Sequence, residues 1–273
     1  METSAGCRLN GSGSGMITLE DLESFSDDQD LDSACHSHGS GSLELKEDTE
    51  PMEDEQGRLL HYWQDIGRVH QVDVPTDMAV PIQQLTTNNH SSAAREKVPF
   101  TLITRKEKCG EILYEKRHYE KAKWACIPVQ EEKYEQSTCL GFMKLMRYIC
   151  EQNSSGSYLG MTIPIVTVVR TEQSRSLLSR EVIVAYHLPA QHQDHPPQPN
   201  DTDIVIQEWP ASIIYTRSFS SVTNEGSILN EINLLVEALD MPQIHMEDSF
   251  IVAGYTNPAA PIRSNEIWVL HRP

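Results

Sequence analysis

A repetition constrains this chain more than any other feature. Short β-like runs surround an amphipathic helix, and the arrangement occurs twice. In the first pass, residues 100–104 read as a brief strand, and 111–118 with 123–127 as a hairpin. A helix follows at about 132–151. Its Cys139, Phe142, Leu145, Met146, Ile149 and Cys150 recur at the three-and-four spacing of one helical face. Strands then occupy 161–169 and 181–188. After a turn-rich stretch holding Pro196, Pro197 and Pro199, the order repeats. Residues 203–208 and 212–219 read as a second hairpin around Trp209-Pro210. The second helix, 222–240, carries Ile228, Leu229, Ile232, Leu235, Val236 and Leu239 on one face and ends before Pro242. Strands at 250–255 and 266–271 close the unit. Each half is roughly 80 residues, and such duplication predicts a pseudo-two-fold α+β fold. One helix per half would cover a curved antiparallel sheet, with a ligand cleft expected between helices and sheet.

The segment before the repeat is different in kind. Of the 273 residues, 22 are Lys or Arg and 40 are Asp or Glu, a net charge of -18. Residues 1–60 hold 15 of the acidic side chains and only 3 basic ones. Residues 1–56, with their Gly-Ser runs and acidic stretches, are expected to be a disordered tail. Within them, Ile17, Leu19, Leu22 and Phe25 sit among acidic residues and suit either a helix on a protein partner or a solvated tail. Residues 57–97 read as a linker that docks partly on the domain, and 98–273 as the folded unit. The acidic surface argues against nucleic-acid and anionic-membrane partners. No apolar run is long enough for a transmembrane helix, and no signal peptide is evident, so a cytoplasmic chain with free thiols is expected.

Several runs in the repeat resemble the SOUL heme-binding family. Tyr114-Glu-Lys-Arg-His-Tyr-Glu-Lys-Ala-Lys-Trp124 resembles its opening strands, and Gly160-Met-Thr-Ile-Pro-Ile165 its GMT-x-P strand. Asp194-His-Pro-Pro-Gln-Pro199 resembles its DPP-x-P loop, with His195 added before the prolines. Phe250-Ile-Val-Ala-Gly-Tyr255 and Arg263-Ser-Asn-Glu-Ile-Trp268 resemble its closing strands. The motifs occur in family order over about 98–273; the acidic N-terminus has no counterpart in them. The resemblance implies a distorted antiparallel β-barrel flanked by two long helices. It also implies non-catalytic binding of heme, or of metal-free porphyrin, in an apolar groove, as buffer, carrier or sensor. Some members of the family are associated with mitochondrial cell-death pathways through an amphipathic helix. A protein-interaction module is therefore the alternative reading, through the acidic tail or the second helix.

Heme asks for an apolar slot, cations for its propionates and sometimes an axial side chain. The resemblance offers His118, in Arg117-His118-Tyr119, as a ligand to heme iron; the same residue also reads as a half-exposed histidine without metal. Phe142, Leu145, Met146 and Ile149 form either a wall of the site or ordinary core. Lys123 and Arg147, with Lys144, are cations that suit propionates or solvent. His192 and His195 in a proline-rich loop make a weak metal pair. The chain has no Cys-Pro, no Cys-x-x-Cys-His and no nucleophile elbow, Walker loop or dinucleotide glycine pattern, and nothing else in it points to catalysis.

Overall fold

The computed structural model describes residues 52–90, 95–172, 175–240, 249–255 and 264–271. The apolar island at 17–25, the rest of the acidic tail up to residue 51, Pro242 and the loop 256–263 lie outside these residues, while the last tail residues, 52–56, belong to the first helix. Helices are α1 (Met52–Val69), α2 (Ala79–His90), α3 (Tyr134–Ile149) and α4 (Glu225–Leu239). Strands are β1 (Glu96–Lys97), β2 (Thr101–Lys108), β3 (Glu111–Tyr119), β4 (Ala122–Gln130), β5 (Thr162–Ile163), β6 (Ile165–Arg170), β7 (Glu181–His187), β8 (Val205–Trp209), β9 (Ser212–Phe219), β10 (Ser249–Gly254) and β11 (Asn265–Leu270). The fold is α+β. Nine strands form one antiparallel sheet in the order β2-β3-β9-β11-β10-β6-β7-β4-β8, and β1 pairs with β5 in a small parallel ladder.

This order explains both the duplication and the curvature. The first half contributes β3, β4, β6 and β7, and the second β8, β9, β10 and β11. From β3 to β8 the sheet is palindromic under exchange of the halves, with the pseudo-two-fold between β10 and β6. The two expected hairpins do not form. β3 pairs with β2 and β9, whereas β4 pairs with β7 and β8. Their connection, Glu120-Lys121, supplies none of the Gly or Asn residues of a tight primed turn, and neither does Pro210-Ala211. Instead the chain continues with a kink, and the two kinked segments run side by side, Tyr119 opposite Ser212 and Ala122 opposite Trp209. Strands near opposite ends of the sheet are thus joined by two residues, which forces the sheet to curl.

Alternation along the strands divides the apolar side chains between two faces. Ala125, Ile127, Val182, Val184, Tyr186, Phe250, Val252, Ile267 and Val269 face the helices and form one core with them. Trp124, Cys126, Val166, Ala185, Ile214, Ile251 and Trp268 cluster on the other face, where none of the described helices contributes to the cluster. Ile228, Ile232, Leu235 and Leu239 of α4 are buried in the helix-side core, so this stripe is occupied within the fold. Asn224 caps the helix, its Oδ1 accepting from Ser227 N–H at 3.0 Å while Ser227 Oγ accepts from Asn224 N–H at 3.0 Å.

The segment read as a linker is largely helical. Leu59, Trp63, Val72, Val74, Met78, Ile82 and Leu85 are buried in the same core. Trp63 stacks on Phe142 of α3 at 6.5 Å between ring centroids, and Arg147 Nη2 donates to Asp77 Oδ1 at 2.8 Å. Pro81, which suggests a break, stands in the first turn of α2, where a missing N–H costs no helical hydrogen bond.

Candidate ligand-binding site

The space between helices and sheet, where a cleft was expected, is filled by core side chains. The candidate site lies on the other face, where the curled sheet leaves a groove of about 440 Å3. Its walls come from both halves: Tyr119 and Trp124 from β3 and β4, Trp209 and Ile214 from β8 and β9, Ile251 and Trp268 from β10 and β11. The kinked segments, with Glu120, Lys121, Ala122, Pro210 and Ser212, also line it.

Four large aromatic side chains, Tyr119, Trp124, Trp209 and Trp268, stand in the lining. Trp124 and Trp209, on paired strands, stack with centroids 4.5 Å apart and an interplanar angle of 18°. His187, the last residue of β7 and opposite Trp124 in the ladder, meets that indole edge-on at 5.0 Å and 83°. Tyr119 packs on Trp268 at 5.0 Å, and Phe100 on Tyr119 at 5.5 Å. Planar aromatic surfaces of this kind suit a flat, apolar ligand.

Beyond Tyr119 and Trp268 lies a buried polar cluster. Arg117 donates to Glu266 through Nη1 at 2.9 Å and Nη2 at 2.7 Å, and to Glu115 Oε2 through Nε at 2.8 Å. Glu266 Oε2 also accepts from Tyr255 Oη at 2.8 Å and from Trp268 Nε1 at 2.7 Å. Burial opposes charge on Arg117, yet its bonds to Glu266 raise its pKa above the ordinary value. Burial would also raise the Glu115 carboxyl, but hydrogen bonds and charge from Arg117 and Arg105 hold it below its usual range. Each member is paired, so the cluster fixes the β3 and β11 end of the groove and leaves no bare charge there.

The loop after β7 completes the wall. Gln193 Oε1 accepts from Lys123 N–H at 2.7 Å, and Gln193 Nε2 donates to Leu188 O at 2.6 Å and Lys123 O at 3.1 Å. His187 is buried, and burial lowers its pKa to about 4. Burial likewise pushes the Cys126 thiol up to about 12, away from the thiolate form that binds metal.

The residues singled out in the sequence are placed apart. Phe142, Leu145, Met146 and Ile149 lie in the helix-side core and do not line the groove. Arg147 is paired with Asp77 on that side, and Lys144 with Asp203 at 2.6 Å. Lys123 stands next to the groove-lining Ala122 and Trp124, its Nζ donating to Asp194 O at 3.0 Å. His118 follows the buried Arg117 on β3, so its side chain points to the opposite face from Tyr119. Its Nδ1 is 3.5 Å from Glu120 Oε1. Among the described residues no group of three or more His, Cys, Asp or Glu is arranged to hold a metal ion. No described helix is long and apolar enough to cross a membrane.

Residues 95–270, well over half the chain, match the family described as SOUL heme-binding protein. The chain belongs to that family. Among its relatives, heme-binding protein 2 of Mus musculus is 30% identical over 165 residues, covering 58% of this chain and 78% of that one. Heme-binding protein 1 of Bos taurus is 26% identical over 176 residues, 64% of this chain and 91% of its own. Among solved structures, the EcmrR C-terminal domain aligns with a TM-score of 0.43 at 10% identity, over 59% of this chain and 98% of that domain. The SOUL match begins at residue 95, so α1 and α2 precede the matched region while packing on its α3.

Sequence reasoning missed the groove-lining residues; of the residues it named, Lys123 stands beside them. Trp124 and Trp268 read only as strand residues, and Trp209 as part of a hairpin turn. The available signal was that both alternating positions of β4, β10 and β11 are apolar, which marks strands covered on two faces.

Proposed function

We propose that this chain binds heme or a related tetrapyrrole, metal-free porphyrin included, in the groove opposite the helices, as a carrier, buffer or sensor and not as a catalyst. The observation that carries this reading is the wall of Tyr119, Trp124, Trp209 and Trp268 around about 440 Å3, within the roughly 300–1,000 Å3 usual for ligand pockets. The residues present fit the group: flat apolar surface for a macrocycle, with Lys121 on the lining and Lys123 beside it as cations for propionates. When bound, heme would supply a redox-active iron; the chain's own part is to enclose the ring in apolar contact and shield it from water. Membership of a family described as heme-binding, and relatives named for heme binding, support the same ligand class. His118, on the other face, would serve iron only if a second mode of binding used that face. A cytoplasmic place fits this reading.

The test is a titration of the full chain with hemin and with protoporphyrin IX, following the Soret band and tryptophan fluorescence. Saturable complexes are expected, with Trp209→Ala weakening both by about tenfold through loss of a stacked ring, and His118→Ala leaving both unchanged. Absence of a saturable complex with either ligand overturns the reading. Binding lost in His118→Ala and kept in Trp209→Ala moves the site to the opposite face.

A further inference from the structure

His187 is the groove's one unexplained polar group. Of the buried side-chain nitrogens and oxygens without a hydrogen-bond partner among the described residues, its Nδ1 alone belongs to a residue lining the groove. The residue is only 4% exposed, so water does not compensate the nitrogen.

Which ring nitrogen carries the proton follows from Gln193. That amide cannot be flipped, because its oxygen accepts from Lys123 N–H and its nitrogen donates to two backbone carbonyls, Leu188 O and Lys123 O. The same amide nitrogen lies 3.5 Å from His187 Nε2. Both hydrogens of that amide are taken by the two carbonyls and its nitrogen has no lone pair to offer, so a proton on Nε2 would point at a group that cannot accept it, while burial keeps the ring neutral. The proton therefore sits on Nδ1, a buried N–H with nothing to donate to. Iron ligation through Nδ1 would need the other tautomer, which sets two donors against each other at Gln193.

We propose that the Nδ1–H of His187 is the specific hydrogen-bond donor of the groove and receives an acceptor oxygen of the bound ligand. This rests on the tetrapyrrole reading above and names the polar contact within it. Two peripheral oxygens share the needed chemistry: a carboxylate, as on protoporphyrin, and the lactam carbonyl of an open-chain tetrapyrrole. Trp124 packs edge-on against the imidazole and stacks on Trp209, so a ligand at His187 also meets these rings.

The test uses the full chain labelled with 15N-histidine, and His187→Phe, which keeps an aromatic ring and removes the N–H. Two-bond 1H–15N correlation spectra are expected to show the proton on Nδ1, and that resonance to move on adding protoporphyrin IX or biliverdin. His187→Phe should weaken one or both oxygen-bearing ligands by about tenfold. It should bind etioporphyrin, which has the ring and no oxygen, as the wild type does. The ligand with the larger loss identifies the oxygen. The ligand-free variant should melt no lower than wild type, because it removes an unmet donor. A proton on Nε2, or a histidine-ligated hemin spectrum lost in the variant, overturns the proposal in favour of a metal ligand. Equal affinities of both proteins for every ligand overturn it while leaving the groove standing. Failure of all the tetrapyrroles to bind wild type overturns the reading beneath it.

Discussion

At the scale of single residues, His187 shows how burial sets a side chain's chemistry. Desolvation lowers its pKa from 6.5 to about 4 in the folded chain. On acidification the unfolded chain takes up this proton first. The stability held by the neutral ring is therefore complete above about pH 6.5, declines through the window between the two values and is gone below about 4. A shift of this size corresponds to ~3 kcal/mol. Urea unfolding at about pH 7 and about pH 5 should show a clear loss for wild type and a smaller one for His187→Phe. Equal losses would place the titration on other groups. The residue was visible in the sequence as a polar end to the apolar run Val182-Ile-Val-Ala-Tyr-His187, but a run buried on both faces does not say which face its last member joins.

At the scale of elements, α3 lies unusually close to the sheet. A Cβ built on Gly141 would stand 2.5 Å from Val184 Cγ2 and 3.2 Å from Val129 Cγ2. Gly141→Ala gains about 1 kcal/mol in helix propensity. Forcing apart packed branched side chains costs ~1–3 kcal/mol, and the contact with Val184 is short enough that the cost should win. Thermal unfolding should register a lower Tm for this variant; a raised Tm would mean that α3 shifts away freely. Helices α3 and α4 were legible because Phe142, Leu145 and Ile149, and Ile228, Ile232 and Leu235, repeat at helical spacing. Strand partners were not: proximity in sequence suggested β3 with β4, whereas pairing depends on whether the intervening residues can turn. Helix α2 was hidden for a local reason, since Pro81 and a polar run to residue 92 read as loop unless the proline is known to occupy a first turn.

At the scale of the whole molecule, the family-matched sheet carries an added buttress. Trp63 is fully buried against Phe142, and Arg147 meets Asp77, so α1 and α2 finish the outer side of a core that α3 alone would leave open. Trp63→Ala should cost ~3–5 kcal/mol in stability, read as a fall in the denaturation midpoint. Porphyrin affinity should be unchanged, because the groove lies on the other side of the sheet. An affinity loss matching the stability loss would show the two sides to be coupled. The groove itself could not be located in the sequence, because its position depends on which way the curled sheet faces its helices.

The palindromic strand order has a consequence for how the molecule holds together. Strand β3 of the first half pairs with β9 of the second, and the edge strand β8 of the second pairs with β4 of the first. The halves are clasped, each arm inside the other's grip, and a cut in the stretch between β7 and β8 would leave two fragments still interlocked. Neither fragment alone would keep a binding site, because Tyr119 and Trp124 belong to one and Trp209 and Trp268 to the other. A ligand lying between them touches both arms at once, so whatever occupies the groove also fastens the clasp.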